Sequence, residues 1–401
     1  MMKFRTIIII LSLMSAVGCM AQRRQLQEAR LILKGDKDYD KAEKLMKALL
    51  NDSTHLEYRD NPRIYDMWLQ SVEKQYAQLN EKMYKKQEVD TTMLFDLTRR
   101  LFTVGECLDS IDMRPDKKGR VSPQYRKDNA ARLVTYRPNL FFGGTYHLRK
   151  GDLEKAYDFF EHYIDCARQP LFEDYDLMNS DARMGEAAYW ATYSGYRLND
   201  PVLTLRYAKQ ARRDTAKLEN TLQLTAEAWT KLRDDSSYVA TLWDGFCHFP
   251  KSAYFFPRLL DYYNSKSNYE KALKIADDAL KTDSTSQLFL LAKSTMLLNL
   301  GRYAQCLECS DRLIALYPDA ADAYFNAGTA CLNIALEMDP RNNKKQIRKM
   351  YQKALPYMEN YRKLAPQETQ KWGDALYRIY FNLNMGKQFD EIDKILKKQK
   401  S

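Results

Sequence analysis

Apolar residues recur along this chain at three- and four-residue steps, in long runs parted by short polar turns. That spacing puts the apolar positions on one face of a helix. It predicts helices at Gln25–Leu33, Tyr39–Leu50, Pro62–Lys86, Thr91–Asp112, Tyr125–Lys150 and Asp152–Ala167, with further pairs to the C-terminus. Pro62 suits a first helical position, where its missing N–H costs nothing. Sustained period-two alternation bounded by turn residues is absent. With 14 Gly and 12 Pro in 401 residues there is little material for β-turns.

The pattern repeats. Ala253–Ser286 and Gln287–Ala320 align column by column at a step of 34 residues. Tyr263 falls over Leu297, Tyr269 over Tyr303, Ala272 over Cys306, Ala276 over Ser310 and Ala279 over Leu313. The same step from Tyr263 reaches Trp229 and Gly195 backward and Cys331 forward, so the phase holds through five units. Small residues mark columns where two helices must approach closely; Phe256, Leu260, Leu290 and Leu297 fill the spaces between. A fixed step of this length, carrying a helix-turn-helix in each copy, is the mark of a repeat array. The chain resembles the tetratricopeptide repeat (TPR) family, most closely over 137–166 and 185–331. The resemblance implies an all-α, right-handed α-solenoid of about nine helical hairpins over 25–399.

Three stretches break the phase. The unit from Gly185 has Asn199-Asp200-Pro201 where later units have a Gly-x-Tyr turn. Fourteen extra residues lie in Arg168–Asp181, and the second helix of the unit from Ala321 is displaced by another 14, with an insertion near Met338–Lys344. The segment 114–123, with Pro near both ends, reads as a loop and a candidate boundary. The expected organisation is a signal segment over 1–21, divergent hairpins over 22–113, and the main array over 124–399. Trp372–Asn384 and Phe389–Lys398 close it as polar caps, which an open array needs for solubility.

Met1–Thr6 carries Lys3 and Arg5, and Ile7–Val17 is apolar but too short to span a bilayer. This is the form of an export signal. Two cleavage readings stand. Ala16-Val17-Gly18-Cys19 resembles a lipobox and would make Cys19 a lipidated first residue. Cys19-Met20-Ala21 resembles an ordinary small-x-small site that releases a soluble protein. Under either reading the expected compartment is the periplasm, with the outer membrane as the site of any lipid anchor; the form of the signal also resembles that of proteins of Bacteroides-type bacteria. The net charge of +10 is spread along the helices, with a small Lys cluster at the C-terminus and no aromatic interleaving. It reads as solvated surface, and nucleic acid is not an expected partner.

Candidate chemistry is sparse. Cys306-Leu-Glu-Cys309 has a redox-like spacing, but it sits inside a helix, and Cys306 holds a column occupied by Ala272, which makes core cysteine the expectation. A Cys306–Cys331 bridge is the disulfide the register permits. His162, Asp165 and Cys166 share a helical face and would need a fourth group to hold zinc. No His-Glu-x-x-His, phosphate-binding loop or nucleophile elbow occurs, so no enzyme, cofactor or metal is expected. In TPR arrays the first helix of each pair lines an inner groove. Carried onto this sequence, that role falls to Tyr189, Trp190, Tyr193, Tyr196 and Arg197, then Gln223 and Glu227, then Arg258 and Asp261, then Asn326. Tyr189, Tyr193 and Tyr196 share a face by helical spacing. The expected function is an exported, non-enzymatic scaffold that holds a protein or peptide partner in the cell envelope. The rival is a glycan-binding outer-membrane lipoprotein similar to the SusD type. The carboxylate clamp that some TPR proteins carry is not recognisable here.

Overall fold

The computed structural model describes residues 23–35, 38–51, 59–116 and 118–400. The signal segment and Cys19 lie outside them. Every regular element among the described residues is helical. Two compact units divide at Asp234/Asp235.

The first unit begins with α1 (residues 23–34) and α2 (Tyr39–Asn51), followed by α3 (Pro62–Tyr84), α4 (Thr91–Asp112), α5 (Arg126–Lys150) and α6 (Leu153–Asp165). The short α7 (Leu177–Ser180) leads to α8 (Met184–Arg197), α9 (Pro201–Arg206), α10 (Ala208–Ala211) and α11 (Leu218–Leu232). The second unit contains α12 (Asp235–His248), α13 (Phe255–Ser265), α14 (Tyr269–Thr282), α15 (Gln287–Asn299) and α16 (Tyr303–Leu316). It ends with α17 (Ala321–Glu337), α18 (Lys344–Leu364), α19 (Thr369–Leu383) and α20 (Gly386–Lys400). Within each unit, successive helices pack on one another.

Four successive first helices of a pair end on the same device. Asn199, Arg233, Ser267 and Gly301, spaced by the 34-residue step, all take the left-handed conformation, with φ of 61°, 57°, 52° and 71°. The N–H of the next residue then bonds back across the helix end: Asp200 to Gly195 O at 3.0 Å, Asp234 to Trp229 O at 3.1 Å, Asn268 to Tyr263 O at 2.8 Å and Arg302 to Leu297 O at 2.9 Å. These bonds satisfy carbonyls that a helix end leaves orphaned. Gly301 adopts the conformation freely; the other three carry a Cβ against it.

The small-residue columns are buried as the register requires. Ala272, Ala276, Ala279, Cys306, Ser310 and Leu313 are all 0% exposed. Gly195 is demanded by contact: a Cβ there would stand 2.6 Å from the Thr204 amide nitrogen. Asp200 caps α9 by accepting from the N–H groups of Val202 and Leu203. The second helix of this pair then breaks at Tyr207, whose buried ring sends its hydroxyl to Asp165 at 2.7 Å. The breakdown of sequence phase at 199–201 thus marks a hairpin with a kinked second arm.

The other two irregularities are resolved differently. Residues 166–180 coil into two 3₁₀ turns and α7. Leu171 and Phe172 plug the core, and Asp181 anchors the far end, accepting from Arg137 Nη1 and Tyr163 OH, both at 2.7 Å. In the unit from Ala321, the extra residues lengthen α17 and α18. Ala335, which occupies the stop position, remains helical, and Asp339 organises the turn by accepting from Arg341 N at 3.0 Å.

The expected boundary at 114–123 does not separate two bodies. The Asp112 carboxylate accepts from Gln124 N (3.0 Å) and Tyr125 N (2.7 Å), and Arg126 forks onto Asp109 with two bonds of 2.7 Å. One continuous core runs from Leu69 to Ala211 past this loop. The side-chain staple that bridges the ends of the loop could not be read from its Pro and Gly content.

Three outcomes follow from this packing. Ser267→Gly should raise stability by about 1 kcal/mol by relieving the left-handed penalty, read as an increased urea midpoint. Ala276→Leu should lower it by about 1–3 kcal/mol through overpacking, read by thermal unfolding. The third concerns pH. Burial alone would raise the Glu43 carboxyl, but hydrogen bonds from Lys47 and Gln75 and the Arg100 guanidinium outweigh it and hold the pKa at about 2. A carboxyl depressed in the folded state stabilises above its unfolded value and loses that contribution as pH falls toward the folded one. The contribution should therefore fade between pH 4.5 and about 2. Glu43→Gln should flatten the stability–pH slope in that window.

Candidate functional site

The aromatic cluster predicted on the helix from Gly185 lies on α8, but the exposed stripe is not the tyrosine stripe the sequence suggested. Tyr189 is buried, 7% exposed, and belongs to the core. Besides the half-buried Tyr196, the side chains that reach the surface are Arg183, Glu186, Trp190, Tyr193 and Arg197. Their steps of three and four residues put them along one face. The rest of the α8 surface is made largely of small buried residues: Ala187, Ala188, Ala191, Thr192, Ser194 and Gly195. These small residues let α6, α9 and α10 pack closely on α8 and leave the large rings the remaining side.

The rings form a connected stack. Tyr189 and Trp190 meet edge to face at 5.0 Å, Trp190 and Tyr193 at 5.7 Å, and Tyr193 stacks on Tyr189 at 6.4 Å. Trp190 Nε1 donates to Glu186 at 3.3 Å. Lys217, just before α11, places its ammonium 5.5 Å from the Tyr189 ring and 5.9 Å from that of Trp190. It is also paired with Asp214 at 2.8 Å and Glu186 at 3.7 Å. The hydrogen bond to Asp214, followed by the charges of Asp214 and Glu186, outweighs burial and raises the Lys217 pKa. Arg197 Nη1 donates to Tyr193 OH at 2.6 Å, with the guanidinium 5.7 Å from that ring. Arg183 lies 5.6 Å from the Phe141 ring and 5.3 Å from that of Phe142, which is 44% exposed. A polar cleft of about 530 Å³ opens alongside, lined by Asp181, Gly185, Glu186, Arg213 and Lys217 among others.

The remaining predicted residues scatter. Tyr196 is half-buried with Lys231 5.2 Å from its ring. Gln223 on α11 donates to Glu219 at 3.3 Å, and Glu227 is half-buried on the same helix. Both are on a helix that packs against α8. In the second unit, the Arg258 guanidinium lies over the Tyr254 ring, 3.7 Å from its centroid, and Asp261 is exposed on the same helix, α13. Asn326 is buried; its amide donates to Ser294 Oγ at 2.9 Å and Thr295 Oγ1 at 3.0 Å, tying α17 to α15. It is occupied inside the array and offers no surface. Arg183, Glu186 and Lys217 were missed. The first two were visible as members of the 183-186-190-193-197 spacing. Lys217 reaches the rings only through the α10–α11 connection, which no local pattern signals.

The other candidate chemistry is structural. Cys306, Cys309 and Cys331 are free and buried, and burial pushes each thiol up to about 11, far from a reactive thiolate. Cys306 and Cys331 form no bridge. The Cys166 thiol is buried and faces Tyr163 O at 3.3 Å, and Asp165 is taken by Tyr207 and Arg206. Among the described residues no group of His, Cys, Asp and Glu is placed to hold a metal ion, and no helix is long and apolar enough to cross a membrane.

The 34-residue step, the repeated left-handed stop and the buried small-residue columns define the class: an all-α helical-repeat protein built from tetratricopeptide-type hairpins. Similar solved structures include two described as TPR proteins. The C-terminal part of a TPR repeat-containing protein from Cytophaga hutchinsonii is 13% identical, with 63% of this chain and 93% of that one covered at a TM-score of 0.41. Yeast Tom70 is 12% identical over 84% of this chain and 66% of that one, at 0.34. The TPR2AB domain of yeast Sti1, in complex with pHSP90, is 10% identical over 63% and 99%, at 0.24. Similarity at this level is distant, and the assignment rests on the repeat geometry of the chain itself. No family model and no curated protein matches the chain.

The two neighbouring tyrosines provide a test of the face assignment. Tyr189→Ala should cost about 3 kcal/mol or more, as for other buried aromatic truncations. Tyr193→Ala should cost less than half of that, with helix content unchanged. Urea unfolding of the two variants followed by circular dichroism makes the comparison.

Proposed function

We propose that the protein is an exported, non-catalytic TPR-type scaffold that holds a protein or peptide partner in the cell envelope, with the outer stripe of α8 as a principal contact. The observation that carries this reading is the placement of the aromatic residues. Trp190 and Tyr193 are half-exposed on the first helix of a repeat, on a side of α8 that the core does not need. Tyr, Trp and Arg are the residue types that most often carry binding energy, because rigid rings bury area at low entropic cost. Gln223 and Glu227 on α11 supply polar groups on the helix that packs beside α8.

The proposed export rests on the Met1–Ala21 pattern, and Cys19 is its conditional lipid anchor. Labelled palmitate incorporated by wild type and lost in Cys19→Ala would establish the anchored form; no incorporation would favour release by ordinary cleavage. For partner binding, Tyr193→Ala should weaken capture from envelope extracts by at least about 2 kcal/mol while the circular dichroism spectrum is retained. Undiminished capture by a folded variant would remove α8 from the site.

A further inference from the structure

The stripe on α8 is bounded by two arginines that the fold does not use as ion-pair partners. Arg183 and Arg197 make no salt bridge among the described residues, although both are exposed at a surface rich in charged groups. Arg197 has a conventional reason to be where it is, since a cation near a helix C-terminus is favoured by the helix dipole. Arg183 has none. It occupies the N-cap of α8 without a side-chain capping bond, at the end where the dipole disfavours positive charge. Its guanidinium is held over Phe141 and Phe142 instead, which fixes its position at the surface. The stripe's own carboxylate, Glu186, is taken by Trp190 Nε1 and Lys217. Lys217 is matched by Asp214 and Glu186, so the two arginines are the cations of the stripe that no carboxylate pairs among the described residues.

We infer that the partner presents an extended acidic segment to this stripe: a carboxylate for Arg183, a planar or apolar side chain for Trp190 and Tyr193, and a second carboxylate for Arg197. The inference rests on the reading of α8 as a partner site and adds the chemistry of the ligand. The spacing follows from geometry. Fourteen residues of helix, at 1.5 Å each, separate the two arginines by about 21 Å along the axis. An extended peptide covers that distance in roughly six residues. Two carboxylates about six residues apart, with an aromatic residue midway, match the Arg–Trp–Tyr–Arg order. Guanidinium groups suit this role because their planar donor fork matches a carboxylate.

The test uses the full chain and a synthetic probe, fluorescein-labelled Glu-Gly-Ser-Tyr-Ser-Gly-Glu, read by fluorescence anisotropy. Wild type should bind it, and more weakly as salt is added. The same peptide with Lys for both Glu, or with the two Glu adjacent, should bind at least tenfold more weakly. Arg183→Gln and Arg197→Gln should each lose about tenfold, and both together more, with unchanged circular dichroism because both side chains are exposed. Absence of wild-type binding, equal binding of the Lys peptide, or full binding by the double variant would overturn the inference. Capture from envelope extracts separates the two levels. Loss of capture in Tyr193→Ala with full capture in the double arginine variant would leave α8 as a partner site and remove the acidic ligand. Full capture in both variants would remove the partner site itself.

Discussion

Four successive hairpins among the described residues depend on their first helix stopping at one residue. The stop is made by a left-handed residue, and the next N–H bonds back to a carbonyl five residues earlier. Without it the helix would continue past the point where its partner must turn back, and the small-residue columns would lose register. Gly301 meets the requirement at no steric cost, whereas Arg233 and Ser267 meet it against a penalty of about 1–2 kcal/mol. Where the stop fails, at Ala335, both helices lengthen and the turn moves to Asp339.

The same constraint shapes α8. Gly195 is both the acceptor of the closing bond and the place where α9 comes within 2.6 Å of an added Cβ. A helix packed that closely on one side can carry only small residues there. Its large side chains are left to the outer face, where Trp190 and Tyr193 are half-exposed between two arginines. The irregular segment before α8 adds to this. Asp181, fixed by Arg137 and Tyr163, also accepts from Arg183 N at 2.9 Å, and so positions the start of the helix. Stability and surface chemistry are coupled here through backbone approach, not through the aromatic residues themselves.

The hairpin architecture was legible in the sequence because it rests on local periodicity. Apolar spacing located helices such as that at about Thr91–Asp112, and the 34-residue step placed Ala276 and Ala279 in buried columns. The step also contained the stop positions, although only Gly301 advertises one by its residue type. The aromatic helix was legible as a candidate, since Trp190, Tyr193 and Arg197 stand in the sequence at surface spacing.

Tertiary structure alone decided which ring faces out. Helical spacing links Tyr189 to Tyr193 as readily as Trp190 to Tyr193, and only the packing of neighbouring helices on α8 makes Tyr189 core and Trp190 surface. It decided that Asn326 is spent on Ser294 and Thr295, because a hydrogen bond across 31 or 32 residues has no local signature. It also placed the loop 114–123 inside one core through the Asp112 and Asp109 staples, and it brought Lys217 to the rings. The sequence by itself determined the repeating unit, which is set by interactions within a turn or two of helix. Contacts between distant residues determined the use of each polar side chain, because its partners come from other helices.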